Sequence, residues 1–291
     1  MILKITQSPV DRYIRLLLTG LIFALLLCAP VAGIELKKIH VDEAARDRTQ
    51  LIFIDARPLS VWQQGHIEGA RSFSWENYTR VDSDGVKYRT FPPEELAEAL
   101  GRMGIGHADA VVVYGDADTS WGGEGWAAWV LAWLGHQGTV YALDGGISLW
   151  REKGYPMAQG SGTDFAPKAY EIDVQPSRQI RAADIQKAGK SVTLVDTRSY
   201  FTEWLPGHLP GAVHISWEKF YQSDHHQFIS PDQLRALLAD KGVDPDKPVI
   251  YYCTGGIRSG FAWMVHELSG LGHAENFEGG MEAWGRMMKN N

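Results

Sequence analysis

Short apolar runs rich in β-branched and aromatic residues recur along this chain, and each is followed by a stretch with helical spacing. Leu51-Ile52-Phe53-Ile54, Val111-Val112-Val113-Tyr114, Thr193-Leu194-Val195 and Val249-Ile250-Tyr251-Tyr252 show no apolar/polar alternation, so they read as strands buried on both faces. Residues 97–101, 126–134, 234–241 and 261–268 read as helices between and after them. Strands alternating with helices predict an α/β fold, in which a mostly parallel sheet is flanked by helices. Trp126, Trp129 and Trp133 recur at i, i+3 and i+7, the spacing of one packed helix face.

The pattern repeats. Leu51-Ile52-Phe53-Ile54-Asp55-Ala56-Arg57 matches Thr193-Leu194-Val195-Asp196-Thr197-Arg198, and Gly65-His66-Ile67-Glu68-Gly69-Ala70 matches Gly207-His208-Leu209-Pro210-Gly211-Ala212. Ser74-Trp75-Glu76 corresponds to Ser216-Trp217-Glu218, and Val111–Tyr114 to Val249–Tyr252. Each copy closes on a Gly-Gly pair, Gly145-Gly146 or Gly279-Gly280. Two copies predict two domains, at residues 34–156 and 177–291. Residues 157–176, rich in Gly, Ser, Ala and Pro, read as an extended linker between them.

The first 33 residues stand outside this pattern. Lys4, Arg12 and Arg15 precede an uncharged run from Leu16 to Ile34, and small residues follow its apolar core at Val31-Ala32-Gly33. That order predicts a secretory signal peptide and a periplasmic or otherwise exported protein, with an uncleaved membrane anchor as the second reading. At 291 residues, 45% hydrophobic and 22% charged, the chain is globular and long enough for two cores. A net charge of −7 without a Lys/Arg stripe speaks against nucleic acid.

Only two cysteines occur, and Cys28 falls in the leader. Cys253 then has no disulfide partner, which makes it a candidate reactive thiol and excludes disulfide scaffolds and zinc clusters. It opens the loop Cys253-Thr254-Gly255-Gly256-Ile257-Arg258-Ser259, between a predicted strand and a predicted helix. Gly255 and Gly256 permit positive φ, so successive N–H groups can face inward as an anion-binding nest. The helix N-terminus adds partial positive charge, and together these favour the thiolate.

The Asp-x-Arg, Gly-His-[Ile/Leu]-x-Gly-Ala and Gly-Gly patterns, with the Cys-x4-Arg loop, resemble the tandem-domain rhodanese family. The likeness runs from about residue 39 to 288. It implies two rhodanese-like domains and a sulfurtransferase taking sulfane sulfur from thiosulfate or 3-mercaptopyruvate. Sulfur would pass to cyanide or a thiol through a persulfide on Cys253, with no metal or organic cofactor. Opposite Cys253 the first copy has Gly115, followed by Asp116-Ala117-Asp118, so that domain is expected to be catalytically silent and to supply cleft wall.

Backbone N–H groups from Thr254 through Gly255, Gly256 and Ile257 to Ser259 would stabilise the terminal sulfur. Arg258 either contacts the donor anion or braces the loop. Arg198 either faces the donor, as the resemblance implies, or pairs with Asp196, as Arg57 in the silent copy suggests. Ser259 reads as a helix cap, His66 and His208 as turn braces, and His225-His226 as a solvated loop. The partners expected are a small anionic donor and a thiol or cyanide acceptor, a thioredoxin-like protein among them. The membrane enters only if the leader stays attached. A persulfide carrier serving one protein partner is the rival reading. A cysteine phosphatase is a third, disfavoured because phosphatase loops are one residue longer.

Overall fold

Two parallel sheets face each other across a shared helical layer. The computed structural model describes residues 34–162, 164–222, 225–244 and 247–290. The proposed leader, with Cys28, lies outside the described residues.

The first half contains strands β1 (Leu36–His40), β2 (Ile52–Asp55), β3 (Arg71–Ser72), β4 (Val111–Tyr114) and β5 (Val140–Asp144). They line up in the order β1-β5-β4-β2-β3, with every pair parallel. Helices α1 (Val41–Arg46), α2 (Leu59–Gln64), α3 (Pro93–Arg102), α4 (Gly123–Trp133) and α5 (Gly146–Glu152) connect them. In the second half β6 (Thr193–Asp196), β7 (Val213–His214), β8 (Val249–Tyr252) and β9 (Ala274–Phe277) form a parallel sheet in the order β7-β6-β8-β9. Its helices are α6 (Ala182–Ala188), α7 (Pro231–Asp240), α8 (Ile257–Ser269) and α9 (Gly280–Asn290).

All four residues of β4 and of β8 are buried, as expected of central strands covered on both faces. The helices start earlier than apolar periodicity alone indicates. Pro93 and Pro231 each occupy a first turn, where a missing N–H costs nothing, and the Ser230/Gln233 capping box fixes the start of α7.

Helices α4 and α8 pack against each other between the two sheets, so the halves share one core. Every residue of α4 is buried, including Trp126, Trp129 and Trp133, whereas an amphipathic surface helix would bury one face only. Small residues allow the close approach: a Cβ on Gly125 would stand 2.2 Å from Phe261 Cα. The two outer faces carry separate cores, one around Phe53 and Trp150 and the other around Ile250 and Phe277.

The segment read as a linker is fastened to the first half. Met157–Ala158 pairs antiparallel with His66–Ile67, and the backbone N–H groups of Lys168, Asp173 and Gln175 donate to carbonyls of the first half. His225 is not simply solvated: its Nε2 lies 3.0 Å from Glu152 Oε2. His226 packs edge-on against Tyr221.

Candidate active site

The C-terminal ends of parallel strands are where a β–loop–α connection can present a residue to solvent. Cys253 follows the last residue of β8, and the chain turns into α8 through Gly256 at φ 88°. A Cβ at Gly256 would meet the Glu278 carbonyl oxygen at 2.6 Å, so both conformation and space require glycine there. The Gly256 N–H donates to Cys253 Sγ at 3.2 Å, as a nest around that sulfur requires.

The loop is also held from outside. Met281 N–H donates to the Cys253 carbonyl and Glu282 N–H to that of Thr254, at 2.9 and 3.1 Å. This close docking explains the repeated Gly-Gly pair, since a Cβ at Gly280 would stand 2.4 Å from the Cys253 carbonyl oxygen. The first copy does the same with Gly146 and the carbonyl of Gly115. Ser259 is buried, with Oγ 3.6 Å from Cys253 Sγ, and it donates to Asn276 Oδ1 at 2.7 Å. Asn276 Nδ2 in turn donates to the Gly256 carbonyl at 3.1 Å. Ser259 therefore ties the loop to β9, where a helix cap was expected.

Cys253 is buried but lines a cleft of about 360 Å³, whose loop side includes Thr254, Gly255 and Ile257. Trp75, Tyr88 and Trp121 of the first half form the aromatic wall, and Glu203 and Arg258 complete the lining. The first half thus supplies cleft wall, as expected. Arg258 grips Glu203 with both arms, Nη1 to Oε2 at 2.6 Å and Nη2 to Oε1 at 2.7 Å. Thr254 Oγ1 accepts from Arg258 Nη2 at 2.9 Å and donates to Glu203 Oε1 at 2.8 Å.

Burial opposes the charge on Arg258, but the Glu203 hydrogen bonds and the nearby Cys253 sulfur outweigh it, leaving the guanidinium above its ordinary pKa. Burial likewise raises Glu203, yet the bonds and charge of Arg258, with Thr254 and the Ser199 N–H, pull it down to about 2. Arg258 braces the loop through Thr254 and lines the cleft with the sulfur, but its fork is already taken.

Arg198 is not brought into this cleft. Its Nε and Nη2 clasp Asp196, and Nη2 also donates to the Gly207 carbonyl at 2.7 Å. Arg57, Asp55 and Gly65 repeat the arrangement in the first copy. The geometry shows Arg198 bracing Asp196 and the Gly207 carbonyl, the second of the two roles expected for it. The paired histidines also brace turns: His66 Nδ1 lies 2.9 Å from the Trp62 carbonyl oxygen and His208 Nδ1 3.2 Å from that of Trp204, each ring stacked on its tryptophan.

Glu203 is the cleft residue that sequence motifs missed, and a signal for it exists. From Arg57 to the bonded Gly65 is eight residues, whereas from Arg198 to Gly207 is nine. The extra residue is absorbed in a π-helical turn over Tyr200–Trp204. Such turns typically arise from single insertions and often sit at functional sites. This one carries Glu203.

The first copy has no room for a side chain opposite Cys253. A Cβ at Gly115 would stand 2.0 Å from Glu124 Oε2 and 2.6 Å from Ser120 Oγ. Glu124 is buried, and burial above all raises its pKa to about 7. Among the described residues no cluster of His, Cys, Asp or Glu could hold a metal ion, and no helix is long and apolar enough to cross a membrane.

Comparison with known proteins agrees with this geometry. A family model described as "Rhodanese-like domain" matches residues 40–153 and again 180–287. A putative thiosulfate sulfurtransferase of Haloferax volcanii is 32% identical over 272 residues, covering 86% of this chain and 91% of that protein. The sulfur carrier protein TtuD of Thermus thermophilus is 32% identical over 252 residues, covering 78% and 85%. A crystal structure of SseA from Escherichia coli, solved in a study of 3-mercaptopyruvate sulfotransferases, superposes with a TM-score of 0.72 at 22% identity, covering 84% and 98%.

Proposed function

Because the chain belongs to the rhodanese family, with its domain present twice, we propose that it is a sulfurtransferase whose sulfur passes through a persulfide on Cys253. The observation that carries this reading is the sulfur itself, lining an open cleft while a backbone N–H donates to it at 3.2 Å. With thiosulfate, the Cys253 thiolate attacks the terminal sulfur, a new S–S bond forms, and the old S–S bond breaks with its electron pair leaving on sulfite. With 3-mercaptopyruvate, the C–S bond breaks and the thiol proton ends on the new methyl group of pyruvate. Cyanide or a thiol then attacks the outer sulfur and regenerates the thiolate. N–H groups of the Thr254–Ser259 backbone stabilise charge as it builds on the transferred sulfur.

No metal or organic cofactor enters either half-reaction. A thioredoxin-like protein is one acceptor of suitable chemistry. We also infer that residues 1–33 direct export; a mature N-terminus near residue 34 on protein recovered outside the cytoplasm would support cleavage over anchoring.

Intact mass spectrometry after brief exposure to thiosulfate or 3-mercaptopyruvate tests the persulfide. One added sulfur atom, removed by cyanide and absent from Cys253→Ala, is the expected result. No gain with either donor would sink it. The likeness to a sulfur carrier protein favours a second reading, a persulfide held for one protein partner. Rapid multiple turnover with thiosulfate and cyanide would count against that reading.

A further inference from the structure

Arg258 lines the cleft with the sulfur, and its guanidinium is not available to a substrate anion in the ordinary way. Both arms of its guanidinium are bound to Glu203, and the same carboxylate accepts from Thr254. Apart from the Cys253 thiolate, Arg258 and Glu203 are the formally charged side chains lining the cleft among the described residues, and their charges cancel. A dianion entering this mouth gains little from the arginine and meets the carboxylate at close range.

The opposite wall is apolar and specially built. Tyr88 and Trp121 hold positive φ, 61° and 54°, a conformation that bulky side chains rarely adopt. Strain of this kind persists where the surrounding structure imposes it, and it clusters at ligand sites. Tyr88 lies directly over the loop, since a Cβ on Gly255 would stand 2.4 Å from Tyr88 Cβ. Trp121 is half exposed, and the Arg258 guanidinium lies over its ring, 6.0 Å from the centroid. The cleft of about 360 Å³ is far larger than thiosulfate requires and is within the range of sites for small organic ligands.

We propose that Glu203 is a specificity-determining residue that turns this cleft away from dianionic thiosulfate and toward a sulfane donor with one negative charge and an apolar body. The inference rests on the persulfide reading of Cys253. The donor's sulfur end enters the nest while its organic part lies against Trp121, Tyr88 and Trp75. For benzenethiosulfonate the step balances without an oxidant. The Cys253 thiolate attacks the terminal sulfur, and the S–S bond breaks with its electron pair leaving on benzenesulfinate. The extra residue behind the π-helical turn is what delivers Glu203 to this position.

The test compares kcat/KM for thiosulfate and benzenethiosulfonate, with cyanide as acceptor, in wild type, Glu203→Gln and Trp121→Ala. Taking each variant's donor ratio relative to wild type cancels the donors' intrinsic reactivities. Glu203→Gln should shift that ratio toward thiosulfate by about tenfold, because the removed charge acts twice as strongly on a dianion. Trp121→Ala should shift it the same way by lowering benzenethiosulfonate alone. A ratio unchanged in both variants, even if both rates fall, would mean a merely structural role and overturn the proposal. If neither donor puts sulfur on Cys253 by mass, the persulfide reading falls first; if both load and the ratio does not respond, only the selectivity does.

Discussion

Replacing Glu124 with glutamine should stabilise this protein, and the gain should depend on pH in a defined way. Glu124 is buried beside Gly115 in the first copy, and burial raises its pKa to about 7 from an ordinary 4.5. Burial outweighs the Glu124 backbone N–H and the Ser120 hydroxyl, whose hydrogen bonds favour the charged form. Ser120 Oγ stands 2.6 Å from the Asp116 carbonyl oxygen and 3.0 Å from Glu124 Oε2, and one hydroxyl proton can serve only one of them. When Glu124 is protonated, its own proton satisfies the second contact. Between pH 4.5 and about 7 the folded chain therefore holds a proton that the unfolded chain has released, and stability falls as pH rises through that window. Above about pH 7 the whole cost applies, ~3 kcal/mol from the size of the displacement; below pH 4.5 it vanishes. A glutamine amide can donate to Ser120 Oγ without ever ionising.

Urea unfolding of wild type and Glu124→Gln at pH 8, 6 and 4.5 measures this directly. The variant should lead by up to ~3 kcal/mol at pH 8 and lose most of that lead by pH 4.5. His266, which burial lowers to about 4, adds a pH dependence of its own, but both proteins share it and the difference removes it. A constant gap across the three pH values would refute the reasoning, because it would mean that Glu124 does not titrate on folding. Persulfide formation at Cys253 should be unaffected.

Gly125→Ala should destabilise by at least ~3 kcal/mol, because its Cβ would strike the Phe261 backbone, which cannot swing aside as a side chain can. Gly260→Ala, whose nearest neighbour is 3.1 Å away at Trp126, should cost about 1 kcal/mol, and thermal unfolding of both variants ranks them. Ser259→Ala should remain folded with a loss of about 1 kcal/mol, since one buried hydrogen bond to Asn276 goes. Single-turnover sulfur loading followed by stopped flow should slow severalfold in that variant; an unchanged rate would separate the loop's tie to β9 from its chemistry.

Much of the fold and the centre of the site were legible in residue order. Parallel strands write themselves as continuous apolar runs, and a duplicated unit writes its motifs twice, so both domains could be placed from Asp-x-Arg, Gly-His and Gly-Gly alone. Cys253, its glycines and Arg258 lie within six residues, and a loop that short carries its chemistry locally. The duplication left Arg198 open between donor contact and a pair with Asp196, and the fold shows that pair in both copies.

Tertiary structure alone decided what surrounds the sulfur. Glu203 meets Arg258 across 55 residues, and no periodicity reports a pairing between two loops that merely end at the same edge of a sheet. Tyr88 and Trp121 come from the other domain, brought there by the packing of α4 on α8. Glu124 fills the place opposite Cys253 because Gly115 left space for it, a volume relation invisible in one dimension. Local sequence determines backbone conformation and which face is apolar; the charge and shape of a cleft between domains arise only when distant segments compete for the same space.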